Sequence, residues 1–315
     1  MILWFSDKQT GKDSSGMRKA YLQYFAALLL FGSNGLLVSA INLPSSEIVF
    51  LRTLLGSGVL FAAVAVLKPA KLGRRDALFV VGSGIAMGAS WTVQYEAYRF
   101  IGVGISSLVY CLGPVLIVAL APRALGEQPS SAHKLGLVVV LVGVLLINGQ
   151  ALSSGASLLG VVCALATVAA YVVMVMLIKR AKDTCGVRGP AVQMLAACAF
   201  AFAASVVIQG SGVEQMAVPA ASDVIPLLMF GLVNGGICCY WYFNSISKLP
   251  AQSVAVCDYL EPLSALVLSS LVLGETLGGL QVLGAVLVFA GAVGSEVLAH
   301  VRPGMGLLLR VKNRE

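Results

Sequence analysis

Charge is scarce in this chain. Only 11% of its 315 residues are Asp, Glu, Lys or Arg, against 58% hydrophobic residues and a mean hydropathy of +0.92. It cannot cover a water-facing surface with polar side chains and needs lipid around it. Histidine is scarcer, with only His133 and His300. No nucleophile–histidine pair falls deep in an apolar run, which argues against an intramembrane enzyme. A phosphate-binding GxxxxGK[ST] loop is lacking, so nothing marks a primary pump. Cysteine is present, but in no CxxC metal spacing or disulfide framework: six of the seven lie within apolar runs and Cys185 lies in a basic loop. The formal charge of +7 is spread over short loops, whereas nucleic-acid binding needs one basic stripe or face.

What is there is a succession of apolar runs of roughly 20 residues, the length that crosses a bilayer as a helix. They lie near 20–40, 46–67, 77–97, 104–121, 134–149, 157–178, 190–208, 224–245, 252–273 and 278–298. Each should be helical, because in hydrocarbon every backbone N–H and C=O must be satisfied within the segment, and these runs are too long for barrel strands. The expected fold is an all-α integral membrane protein of ten transmembrane helices. With the N-terminus inside, nineteen of the 21 basic residues fall in cytoplasmic segments, Arg99 alone lies in an external loop and Arg52 within a span. This positive-inside pattern puts both termini in the cytoplasm and the chain in the cell (inner) membrane. Residues 1–5 are too short an apolar stretch for a signal peptide, so 1–19 read as a loose cytoplasmic tail, with Met17 as an alternative start of synthesis. Residues 299–315 read as a basic cytoplasmic tail.

The chain also repeats itself. Leu112-Gly113-Pro114 followed by Leu125-Gly126-Glu127 returns as Leu260-Glu261-Pro262 followed by Leu273-Gly274-Glu275 under one ungapped shift of 148 positions, which also places Gly136 on Gly284 and Gly143 on Gly291. Two five-helix repeats follow, 20–150 and 151–298. Five spans is an odd number, so the second repeat must be inverted relative to the first. At 1.5 Å per residue, Pro114 and Pro262 lie roughly 15 Å into their spans, near the midplane. Each frees a carbonyl and bends its helix, which either marks a central binding site or only shapes packing.

These residues resemble a known family. The proline followed by LGE near the end of each half, Glu261-Pro262 in the second, Arg52 in span two and Gln94-Tyr95-Glu96-Ala97-Tyr98 at the end of span three are similar to motifs of the EamA family in the drug/metabolite transporter superfamily. The resemblance covers roughly 20–298. It implies a ten-helix permease that exports or exchanges a small metabolite, an amino acid or related compound among them, through a cavity between the halves. Efflux of cationic drugs by proton antiport is the alternative, and a channel lacks obvious selectivity rings. No cofactor or metal is called for. The partners are lipid and a small substrate, and the chain is a monomer or a homodimer.

Asp258 and Glu261 stand three apart on one helical face, roughly 9 and 13 Å from the cytoplasmic side. Carboxyls so deep are costly when ionised. They either gate transport by protonation or recognise an amine, or else Glu261 only satisfies backbone freed by Pro262 while Asp258 reaches interfacial water. Arg52 pairs with Glu47 or Glu96 or captures a substrate carboxylate. Two aromatic and amide clusters, Trp91, Gln94, Tyr95 and Tyr98 and then Tyr240, Trp241, Tyr242 and Asn244, lie toward span ends as interfacial anchors, with Trp91, Tyr95 and Tyr240 the ones that could face inward. Tyr110 and Tyr259 flank the prolines and are better candidates for a cavity, since a buried phenol needs a partner. Asn34 and Asn234 either line the path or bond helix to helix. Gly84-xxx-Gly88 and Gly231-xxx-Gly235 have helix-packing spacing.

Overall fold

The computed structural model of the chain describes residues 13–148, 157–181, 184, 186–209, 219–273 and 278–301. Gly274, Glu275, Cys185 and the terminal segments 1–12 and 302–315 lie outside these. Among the described residues there are helices and no strand. Eight helical stretches are long and apolar enough to cross a membrane, and two shorter apolar helices, Leu112–Ala124 and Ser131–Ile147, fall below that length. Large apolar side chains cover the outside, as with Val66 and Leu158 at 81% exposure and Leu78 at 75%. This is the reverse of a water-soluble surface and suits hydrocarbon.

The helices are α1 (Asp13–Phe31), α2 (Asn34–Ser39), α3 (Ser45–Leu67), α4 (Arg74–Tyr110), α5 (Leu112–Ala124), α6 (Ser131–Asn148), α7 (Leu158–Arg180), α8 (Arg188–Gln209), α9 (Ala221–Leu228), a π-helical segment (Met229–Cys238), α10 (Cys239–Ile246), α11 (Ala251–Cys257), α12 (Leu260–Leu273) and α13 (Gly279–Val301). Several expected straight spans are broken. The first apolar run starts inside α1, which begins ahead of it at Asp13, and is interrupted at Gly32 and Ser33. The third and fourth runs share α4, which turns at Gly102, where φ is 73°, a value open to glycine because it has no Cβ. The eighth passes through the π-helical segment.

Helix contacts rest on small residues. Lipid tails are as apolar as leucine, so helices in a bilayer associate through close van der Waals packing. Gly84 and Gly88 of α4 lie against Gln193 and Ala197 of α8, while Gly231 and Gly235 of the π-helical segment lie against Leu55 and Arg52 of α3. Between α6 and α13 the approach is reciprocal: a Cβ on Gly143 would lie 2.6 Å from the Gly284 carbonyl and one on Gly284 2.5 Å from that of Gly143. Gly136 and Gly291 repeat this at 2.8 and 2.9 Å. Helix α4 also runs along α7, α1 against α10 and α12, and α5 against α7 and α11.

Candidate functional site

Two helix breaks meet inside the bundle. Pro262 sits in the first turn of α12 and has no N–H for the carbonyl of Asp258, so the regular ladder fails there and the Glu261 amide bonds that carbonyl at 3.1 Å in a tighter turn. Pro114 holds the same place in α5, directly behind the break at Cys111. The Tyr259 hydroxyl donates to the carbonyl of Cys111 at 2.6 Å. One break is thereby fastened to the other by residues 148 positions apart.

The carboxyl of Asp258, at the C-terminal end of α11, is the focus of the site. Three phenols from three helices donate to it: Tyr24 of α1 and Tyr171 of α7 through short hydrogen bonds, and Tyr242 of α10 at 3.2 and 3.4 Å. Tyr24 has a second acceptor, the carbonyl of Val254, at 3.1 Å. Its ring stacks on Tyr242 with centroids 5.4 Å apart, and the ring of Tyr110 lies 5.1 Å from that of Tyr171. Gly113 is what lets Tyr171 in, since a Cβ there would lie 2.7 Å from the ring. An isolated carboxylate in an apolar interior is costly; one that accepts three O–H bonds has its lone pairs occupied without a countercharge.

Glu261, one turn along, faces a second group of polar residues. Asn34 hydrogen-bonds its carboxyl, and the side-chain oxygen of Asn34 accepts from Asn234 at 2.7 Å; Asn234 also reaches the Ser33 hydroxyl at 3.1 Å. Arg52 lies within electrostatic reach of Glu261 and is itself only 2% exposed. Its guanidinium is set between two rings, 4.2 Å from the centroid of Trp91 and 4.3 Å from that of Phe230, with Tyr95 and Cys239 beside it. Cation–π contact flanks the guanidinium on both faces, and Glu96 pairs with Arg99 at 3.2 Å. The Arg52 Nε and the Gln94 Oε1 are buried without a hydrogen-bond partner.

The structure therefore gathers Asn34, Trp91, Tyr95, Tyr110, Asn234, Asp258, Tyr259 and Glu261, with Arg52, around the breaks marked by Pro114 and Pro262. Tyr240 is half-buried against the apolar core, and its near neighbour Tyr242 supplies the phenol instead. Tyr24 and Tyr171 were not singled out in the sequence. The available signal was a lone tyrosine within an aliphatic stretch, as in Ala169-Ala170-Tyr171-Val172-Val173.

Charges at the end of the bundle that carries the basic loops are held differently. Glu127, of the first LGE sequence, accepts the backbone N–H of Ala251 at the start of α11 and pairs with Lys179 at 3.3 Å. Lys179 donates in turn to the carbonyls of Leu249 and Ile246. A carboxylate at a helix N-terminus meets unsatisfied amides and the positive end of the dipole. Nearby, Glu296 of α13 accepts from Tyr21 at 3.0 Å and faces the His133 ring at 2.9 Å, while the Ser130 hydroxyl lies 2.6 Å from the other ring nitrogen. A cleft of about 440 Å³ opens at this end beside Glu127, Lys179 and Gln252.

A profile of the EamA-like transporter family matches residues 18–149 and again 158–296. The chain belongs to the EamA-like transporter family. It is a multi-pass membrane transporter and not an enzyme. Two relatives in Bacillus subtilis (strain 168) are described as uncharacterized transporters: YxxF, 24% identical over 278 residues, covering 86% of this chain and 88% of that one, and YvbV, 24% identical over 279 residues, covering 86% and 87%. A solved chain described only as a crystal structure of a protein superposes with a TM-score of 0.76 at 22% identity, over 89% of this chain and 98% of that one. The EamA-like chain thus shares its fold with a known structure along nearly its whole length.

Proposed function

We propose that this EamA-like protein is a secondary transporter that moves a small metabolite across the cytoplasmic membrane by alternating access. The observation that carries the reading is the meeting of two broken helices at a polar cluster inside an apolar bundle, the usual site of substrate in carriers built from repeats. Ten spans, in two inverted five-helix halves with both termini cytoplasmic, fit it. The twofold match to the family, the 148-residue shift and the reciprocal glycine contacts of α6 and α13 support that arrangement. So does the basic composition of the loops at one end.

The cavity residues suit a substrate with both an amine and a carboxylate, an amino acid or related compound. Asp258 and Glu261 offer negative charge on one side, and Arg52 presents an unpartnered Nε on another. Efflux of a cationic compound by proton antiport is the second reading, favoured by two carboxylates on adjoining turns. Counterflow in proteoliposomes, screened over amino acids, polyamines, nucleosides and cationic drugs with and without a pH gradient, separates them. Saturable, trans-stimulated exchange is the expected result. Flux that neither saturates nor responds to unlabelled compound inside would identify a channel instead.

A further inference from the structure

Asp258 and Glu261 are expected to act as a pair, but their surroundings separate their roles. Among the described residues, every side chain that hydrogen-bonds Asp258 is a phenol: Tyr24, Tyr171 and Tyr242. The other titratable groups around it are Tyr110 of α4, Cys257 of α11, its chain neighbour Tyr259 and Glu261 of α12, with Arg52 of α3 beyond Glu261. None of the groups bonded to it is a cation. The ionised carboxylate is matched to this set, since it only accepts and the phenols donate. A neutral carboxyl is not, because its own O–H needs an acceptor and so one phenol must turn round.

Tyr24 is the phenol built to turn. Its hydroxyl already lies 3.1 Å from the Val254 carbonyl, so it can donate there while its oxygen accepts the carboxyl proton. Among the described residues, Tyr171 and Tyr242 bond Asp258 and each other and have no such backbone acceptor. One proton from water converts the carboxylate to the acid, no other bond is made or broken covalently, and the site loses one negative charge. The three phenols come from α1, α7 and α10, and the carboxyl lies at the break between α11 and α12.

We propose that Asp258 is the proton-binding site of the carrier, and that its protonation, with Tyr24 turning to Val254, replaces the charge-assisted bonds donated by Tyr171 and Tyr242 with weaker bonds to a neutral acid and so loosens the hold of α7 and α10 on the broken helix. Glu261, bonded to Asn34 and facing Arg52, stays with the substrate. This rests on the carrier reading and names its coupling ion. The position suits the task, because a change of one proton alters contacts among helices that must move relative to one another.

The test needs no substrate. The purified full chain in liposomes is titrated from alkaline to acid pH under infrared detection, with the proton as probe. A carboxylic-acid carbonyl band should appear on acidification together with a change in a tyrosine ring mode. One component of that absorption, to which the other acidic residues also contribute, should persist in Glu261→Gln and be missing from Asp258→Asn. Asp258→Glu, which keeps a carboxyl, should retain a titrating band, and Tyr24→Phe should displace its midpoint while Tyr98→Phe does not. A band unchanged in Asp258→Asn overturns the proposal, as does one insensitive to Tyr24→Phe. In counterflow with a compound from the screen, stimulation by a pH gradient should be lost in Asp258→Asn and kept in Asp258→Glu. Failure of counterflow in the unmodified protein strikes the carrier reading alone, because the infrared result stands apart from it.

Discussion

The basic end of the bundle and its centre hold buried charge in opposite ways. At the basic end, Glu127 is matched to Lys179 and a helix N-terminus, and Glu296 to His133 and Tyr21. At the centre, Asp258 rests on neutral phenols and Arg52 on aromatic faces. A buried ion pair loses heavily when one member changes, because the other is left uncompensated. A charge held by neutral donors or by rings can change its protonation or take a ligand without stranding an opposite charge. The contrast teaches that the end is fastened and the centre is free to react.

The comparison can be broken most strongly at Glu296, whose side chain is 6% exposed. Glu296→Ala should cost about 2 to 5 kcal/mol, because it leaves the buried Tyr21 hydroxyl and His133 ring without their hydrogen-bond partner, and appear as a lower melting temperature in detergent. Counterflow per folded molecule should stay near that of the unmodified protein. Glu127 is part-exposed, at 30%, so Glu127→Ala should cost less, about 1 to 3 kcal/mol. Adding Lys179→Met should restore part of that loss, and a double mutant no more stable than Glu127→Ala would show that the pair is not coupled.

At the centre the order reverses, with small stability effects and large functional ones. Arg52→Lys exchanges a planar group between two rings for a compact ammonium, which should cost about 1 to 2 kcal/mol yet suppress counterflow. Thermal melts beside transport assays check both halves of that statement. Tyr259→Phe removes the hydrogen bond from one break to the other and should cost about 1 kcal/mol by the same melts. If it proved as destabilising as Glu296→Ala, the breaks would be part of the fastening and the contrast would fall.

Much of this was legible without coordinates. Hydropathy located the apolar runs, because bilayer thickness fixes the length of a spanning helix, and the prolines at 114 and 262 marked both breaks, because proline removes a donor wherever it stands. The glycine pairs at 84 and 88 and at 231 and 235 announced close packing. The partner of Arg52 was not legible, since an arginine can be accommodated by an acid or by rings, and only proximity decides which. Nor were Tyr24 and Tyr171, which lie far from Asp258 along the chain. Glu296, the one charged residue of the run 278–298, passed as part of a hydrophobic stretch.

Residence in lipid, helicity and the internal repeat follow from composition, backbone hydrogen bonding and a fixed shift along the chain. Which groups share a site follows from how the helices pack. Tyr24, Tyr171 and Tyr242 reach Asp258 from three helices because close packing at glycines such as Gly113 brings them within hydrogen-bond range. That distance is a property of packing between segments, and no local spacing encodes it.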